Sequence, residues 1–357
     1  MKLGKTSRKN FTTLGMLLVA YIVLMICQSA GVLSSVVKGQ LVPICAYVIM
    51  AISLNLTVGI LGELSLGHAG FMSVGAFSGI IVTTILNENG APDVLTIIAG
   101  IVVGGLCAAL AGVLVGIPVL RLSGDYLAIV TLAFGEIIKS IFMNFYVGYD
   151  SAGLHVGFLK KTYELADGGK MIIDGPNGLN RMPRISTFTI GFVLLVICLV
   201  IVFNFVKSRT GRAVMALRDN RIAAESVGIN VTKYKLLAFS ISAGMAGMAG
   251  VLYTHNLSRL NASKFDFNLS ILILVFVVLG GLGNMRGSII AATLLTLLPE
   301  LLREFSNYRM LVYAIVLILV MLATNNPTLK GYIKKINDYI KNLIKPKKDK
   351  KGDAVNG

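Results

Sequence analysis

The stretch Val94-Leu-Thr-Ile-Ile-Ala-Gly-Ile-Val-Val-Gly-Gly-Leu-Cys-Ala-Ala-Leu-Ala-Gly-Val-Leu-Val-Gly-Ile-Pro-Val-Leu120 carries no charged side chain. A helix needs about 20 mostly apolar residues to cross ~30 Å of hydrocarbon. No water reaches that layer to satisfy backbone polar groups, so only helices or a closed barrel can span it. The run is continuous rather than alternating, which excludes the barrel. Uncharged runs recur at 11–37, 185–206, 236–254 and 310–329. The expected fold is therefore all-α, a polytopic transmembrane bundle of about ten spans. We place them at 12–32, 40–60, 65–86, 94–117, 127–147, 185–206, 236–255, 268–283, 287–303 and 310–327.

Composition agrees with this reading. Of 357 residues, 55% are hydrophobic and 14% charged, and the mean hydropathy is +0.79. A soluble domain of this size needs more charge to cover its surface. The net charge of +16 raises the possibility of nucleic acid binding. The excess, however, sits in short segments beside apolar runs, where it reads as a topology signal and not as a nucleic acid site. Lys2, Lys5, Arg8 and Lys9 crowd the N-terminus, segment 207–235 holds seven Lys or Arg against Asp219 and Glu225, and the tail from Lys330 is rich in lysine. The positive-inside rule puts all three in the cytoplasm, and the span count gives the same sidedness. The chain thus divides into a basic N-terminus (1–11), a transmembrane domain (12–327) and a basic tail (328–357). Loop 148–184 lies outside and reads as turns, Asp174-Gly-Pro-Asn-Gly178 above all. The loop 207–235 lies inside. Cys27, Cys45, Cys107 and Cys198 fall in apolar runs, with no disulfide or metal spacing. The first apolar run is too long for a signal peptide and lacks its small-residue cleavage site, so an uncleaved helix is expected. In the tail, Ile333, Ile336, Ile340, Leu343 and Ile344 fall at helical spacing among lysines. That pattern fits an interfacial amphipathic helix or a solvated charge run.

Three constellations carry functional expectation. The first is 53–71, where Gly59, Gly62, Gly67 and Gly70 are too many for a helix that merely spans. Glu63 and His68 are expensive near a membrane unless they face a cavity or a partner. A broken segment lining a path is one reading, with Asn55, Glu63, Ser65, Gly67 and His68 as its candidates. The other is a short cytoplasmic turn holding Glu63, with His68 a hydrogen-bonded packing residue. The second constellation is 121–136. Ser123 and Asp125 suit the start of a helix, and Glu136, three turns in, has Lys139 as a possible i+3 partner. The third is 211–230 in the basic loop. Asp219 or Asn220 can cap a short helix, Ala223 and Ala224 give it a slim face, and Gly228 can end it. Such a helix suits a groove on a partner protein; the bland alternative is a connecting loop. Gly59-Ile-Leu-Gly-Glu63 and Gly280-Gly-Leu-Gly-Asn284 also echo one another, as duplicated transporter halves do.

Ser65-Leu-Gly-His-Ala69, Gly124-Asp-Tyr-Leu127, the 218–230 segment, Lys235-Leu-Leu-Ala-Phe239, Val278-Leu-Gly-Gly-Leu-Gly283 and Pro299-Glu-Leu-Leu-Arg303 stand in one order. Together they resemble the longer, second permease of ABC importers for branched-chain amino acids, from about 51 to 327. The resemblance implies a multi-pass permease in a prokaryotic cell membrane. It also implies a second, homologous permease subunit, two cytoplasmic ATPase subunits and an extracytoplasmic binding protein. ATP would be used by the ATPases, with no cofactor, metal or catalytic residue in this chain. No G-x-x-x-x-G-K-[ST] phosphate loop occurs in the sequence. By similarity, Arg218, Asp219, Asn220, Ala223, Ala224, Glu225 and Gly228 form the coupling segment that docks on an ATPase. The family pattern has Glu before the two alanines; here Ile222 stands there and Glu225 follows. Asn325-Asn-Pro327 and 260–265 also depart from the family. Permeases for urea or short amides share much of this pattern, and a stand-alone secondary transporter is the alternative class.

Overall fold

The computed structural model describes residues 5–31, 34–122, 124–150, 153–160, 169–180 and 182–302, with scattered positions from 311 to 318. The chain forms two units, Met1–Glu300 and Leu301–Gly357. Among the described residues, eight helices are long and apolar enough to cross a membrane, and all eight lie in the first unit. They are α1 (Lys5–Ser29), α2 (Ser35–Asn55), α3 (His68–Glu88), α4 (Asp93–Val119), α5 (Asp125–Met143), α6 (Phe188–Lys207), α9 (Val231–Thr254) and α10 (Phe267–Gly280), the last reaching spanning length only together with the 3₁₀ turn before it, as Ala262–Gly280. Helix α11 (Met285–Leu301) is apolar but only 17 residues long. The expected span 310–327 is described only at scattered positions, and the tail 328–357 and Ser123 lie outside the described residues. Two short helices, α7 (Arg209–Asp219) and α8 (Arg221–Ser226), occupy the basic loop.

The core is built around α2, whose residues from Leu41 to Asn55 are almost all buried. Helix α2 packs on α9, α6 and α10, while α3, α4 and α9 close on one another through small residues. A Cβ on Gly75 would stand 2.2 Å from the Cα of Gly247, and one on Gly250 would stand 2.0 Å from the carbonyl oxygen of Met72. Only glycine permits backbones that close, which is the small-residue packing that replaces a hydrophobic driving force inside lipid. By contrast, α4 turns Val102, Leu106, Leu110 and Leu114 outward, and α6 turns out Val193 and Ile197. These are stripes suited to lipid.

The loop after α5 differs from expectation. The span placed at 127–147 ends as helix at Met143, and the chain turns into strand β1 (Phe145–Asp150). With β2 (Gly153–Phe158), β3 (Lys170–Asp174), β4 (Leu179–Asn180) and β5 (Arg259–Leu260) it makes an antiparallel sheet in the order β2-β1-β3-β4-β5. Strand β5 comes from the α9–α10 connection, so the sheet ties two loops together on one side of the molecule. Lys170 of the sheet pairs with Glu88 at the end of α3, 2.6 Å away. The turn motif at 174–178 is real: a single 3₁₀ turn spans Gly175–Asn177, and Asp174 N–H donates to Gly178 O at 2.9 Å.

Candidate functional site

On the opposite side from the sheet, α2 does not end as an ordinary helix. It loosens into a π-turn, Leu56–Leu61, and stops at Gly62 in the left-handed conformation (φ 82°). An extended connector runs to Gly67, and α3 begins at His68, later than the expected start at 65. The break anticipated over 53–71 is therefore present. π-Turns interrupt helices mostly where function or strain requires it.

What fixes the break is a set of polar ties from four other elements. Asn55 accepts from Gly283 N–H at 2.8 Å and donates to Ser288 Oγ at 2.7 Å. The second glycine break, Gly280–Asn284 in sequence, is thereby held against the first. Thr57 donates to Ser242 at 2.8 Å, and Ser242 donates to Ser53 O at 2.5 Å. Thr131 of α5 accepts from Leu66 N–H at 3.0 Å, and Ser270 of α10 accepts from Ala69 N–H at 3.1 Å. These last two satisfy donors that the broken helix would otherwise strand in the membrane. Glu63 forms an ion pair with Lys235 of α9, both nearly buried.

Of the candidate path residues, Asn55, Ser65 and His68 are each fully buried, Asn55 against the second glycine break and His68 against Ser53. His68 Nε2 lies 2.7 Å from Ser53 Oγ. His68 Nδ1 and Ser65 Oγ have no hydrogen-bond partner among the described residues. Gly67 lets α5 approach, for a Cβ there would meet Thr131 O at 2.1 Å. Glu63 sits in the connector and not in a helix.

The basic loop meets the same break. Arg218, at the end of α7, donates to Gly59 O at 3.0 Å and to its neighbour Asp219 at 2.8 Å and 3.0 Å. Its aliphatic stem lies against Gly62, where a Cβ would come within 2.6 Å. Next comes α8, six residues long, capped by Asn220 rather than Asp219: the Asn220 side chain accepts from Ala223 N–H at 3.0 Å. Arg221 pairs with Glu225 at 3.0 Å across one turn, which gives Glu225 a partner within the segment. Gly228 closes the motif at φ 85°. The slim-face reading needs one correction. Ala224 is 4% exposed and faces its own protein, whereas Ile222 and Val227 are 81% and 75% exposed. The helix therefore presents these branched apolar side chains, with Ala223 between them on the exposed surface, and uses Ala224 to lie flat.

Sequence reasoning missed Lys235 as the partner of Glu63 and Gly59 O as the acceptor for Arg218. A signal existed for the first. Lys235 stands at the start of an otherwise uncharged run, and a lysine there needs an acid within reach. Nothing in the sequence marked Gly59 O.

These features define a class: a polytopic membrane protein with a broken helix tied through Arg218 to the basic loop, and with a sheet at the other end held to α3 by the Lys170–Glu88 pair. Residues 36–321 match the family described as branched-chain amino acid transport system / permease component, and the chain belongs to it. It is 35% identical over 289 residues to the high-affinity branched-chain amino acid transport system permease protein LivM of Escherichia coli (strain K12), covering 77% of this chain and 66% of that one. LivM of Salmonella typhimurium is 33% identical over 310 residues, with the same coverage. The fructose import permease protein FruG of Bifidobacterium longum is 26% identical over 246 residues, covering 66% of this chain and 67% of its own length. This chain thus spans 66%, just under two thirds, of the LivM proteins it matches. No solved structure matches it.

Proposed function

We propose that this chain is a permease subunit of an ABC importer for branched-chain amino acids, working in the inner membrane beside a second permease. ATP hydrolysis belongs to two partner subunits, one of which docks on α8, and substrate arrives from a binding protein on the sheet side. The observation that carries the reading is the geometry of 218–228. A capped helix sits on the basic side with two exposed apolar side chains, and the residue just before its cap is bonded, through Arg218, to the break in the central helix. A docking knob that touched nothing else would transmit nothing. Here a push on α8 reaches Gly59 through Arg218.

Urea and short-amide import is the nearest alternative within this class. A stand-alone secondary transporter would need intramembrane acids free for ion coupling, and both candidates are paired within the chain, Glu63 with Lys235 and Glu136 with Lys139. The test is reconstitution of the chain with its co-purifying subunits in liposomes. The reading expects uptake of leucine, isoleucine and valine that needs internal ATP and an added loaded binding protein. Uptake driven by an ion gradient with no ATPase present would refute it.

A further inference from the structure

The outward face of α5 is unlike that of any other described membrane helix. Tyr126, Ile129, Ala133, Glu136, Ile137, Ser140 and Ile141 form one exposed stripe at helical spacing. Where α1, α4 and α6 expose aliphatic residues through their middles, α5 exposes an ion pair. Glu136 and Lys139 are bonded to each other, with side chains 40% and 19% exposed. Glu136 is the twelfth residue of the helix, ~16 Å from its start and so near the centre of a ~30 Å hydrocarbon layer. A half-exposed carboxylate at that depth is too costly to face lipid; such groups face a partner or a watery cavity.

The surroundings favour the watery alternative. An open groove of about 350 Å³ is lined by Glu136, Ile137, Ser140, Ile141, Asn144 and Phe158, and Lys139 stands outside this lining, joined to it through its pair with Glu136. The groove joins an acid and two neutral polar groups to branched aliphatic and aromatic walls. The inner side of the same helix touches the break, through Thr131 to Leu66 N–H and through Gly135 to Gly67. Contacts therefore run without interruption from Arg218 to Gly59, along the connector, and into α5.

We infer that this face of α5 is the wall of the substrate path, and that Glu136 and Lys139 receive the two charges of a free amino acid, Glu136 its ammonium and Lys139 its carboxylate. The inference rests on the importer reading and names the substrate class it serves: a zwitterion with an aliphatic side chain. The pair is already neutral by itself, so it does not trap a single ion. A zwitterion that slides between the two groups exchanges one ion pair for two and can leave by the reverse exchange, as a conduit requires. Urea and neutral amides carry no charges to make that exchange, so the pair favours amino acids over them.

The test uses the complete complex in liposomes with leucine-loaded binding protein. Glu136→Gln and Lys139→Met should each lower leucine uptake about tenfold, the loss of one charge-assisted contact, while the complex still assembles on co-purification. In an otherwise cysteine-free chain, Ser140→Cys leaves the pair intact and should react with a charged, water-soluble thiol reagent, more slowly during turnover with leucine. Unchanged uptake in both charge variants would overturn the inference. So would a Cys at 140 that reacts only with a lipid-soluble maleimide, since that places the face against lipid. If the unmutated complex shows no stimulated hydrolysis, the importer reading itself fails, and this inference with it.

Discussion

Two side chains hold the centre of this protein together, and each makes a separate prediction. Asn55 joins the two glycine breaks, accepting from Gly283 N–H and donating to Ser288. Asn55→Leu strands a backbone N–H and should lower stability by about 1–3 kcal/mol. Ser288→Ala loses only the weaker bond, and pairs of this kind within membranes average about 0.6 kcal/mol. Thermal unfolding in detergent compares the two; a larger loss from Ser288→Ala would contradict the assignment. Arg218 makes the other link. Arg218→Met keeps the aliphatic stem against Gly62 and removes the bond to Gly59 O. The ATPase subunits should remain bound on co-purification while stimulated hydrolysis falls about tenfold, since a bond to a charged donor contributes about 1.5–3 kcal/mol. Undiminished stimulation would remove Arg218 from the coupling route. The sequence marked Glu63 and His68 because polar groups beside apolar runs are costly, placed Asn55 with them as a path candidate, and marked Arg218 through the family resemblance. It did not say which would meet, because Arg218 and Gly59 lie 159 positions apart and only the fold brings them together.

Elements were legible in proportion to how local their causes are. The long apolar helices were read to within a few residues, because one uninterrupted run suffices to specify each. Helix α8 was legible for the same reason: Asn220, the small residues and Gly228 all lie within one short segment. The five-stranded sheet was not. Its strands have two to six residues, and β4 finds its outer partner, β5, some 80 positions away, so no local pattern announces the pairing. The Asp174–Gly178 turn was visible because glycine and proline fix it locally. At α8 the buried side of Ala224 changes what a mutation means. Ala224→Trp would disturb packing inside this chain, whereas Ile222→Glu alters only the exposed knob. Ile222→Glu should leave the protein folded and in the membrane while the ATPase subunits no longer co-purify. Retention of the ATPases at wild-type level would move the docking site elsewhere. In the α3–α9 interface, Gly250→Val has no such latitude: the added carbons collide with the backbone at Met72, and loss of the folded protein from the membrane is the expected result.

At the scale of the molecule, the contacts separate two ends. One gathers the sheet, Glu88 and Lys170; the other gathers Gly59, Glu63, Arg218, Lys235 and Gly283. Lys and Arg bias predicts the cytoplasm for the second end, and among the described residues the long helices run alternately between the two ends. The central claim is that α8 meets the ATPases and that the sheet faces the opposite compartment. Both halves are tested by one cross-linking measurement on the assembled complex. Cys27, Cys45, Cys107 and Cys198 are first replaced, and a single cysteine carrying a short photoreactive group is placed by Ile222→Cys or, on the exposed edge of β2, by Val156→Cys. The account predicts a covalent adduct between position 222 and an ATPase subunit, and none between position 156 and that subunit. An adduct to the ATPase from position 156, or none from 222 in a complex that hydrolyses ATP, would contradict it.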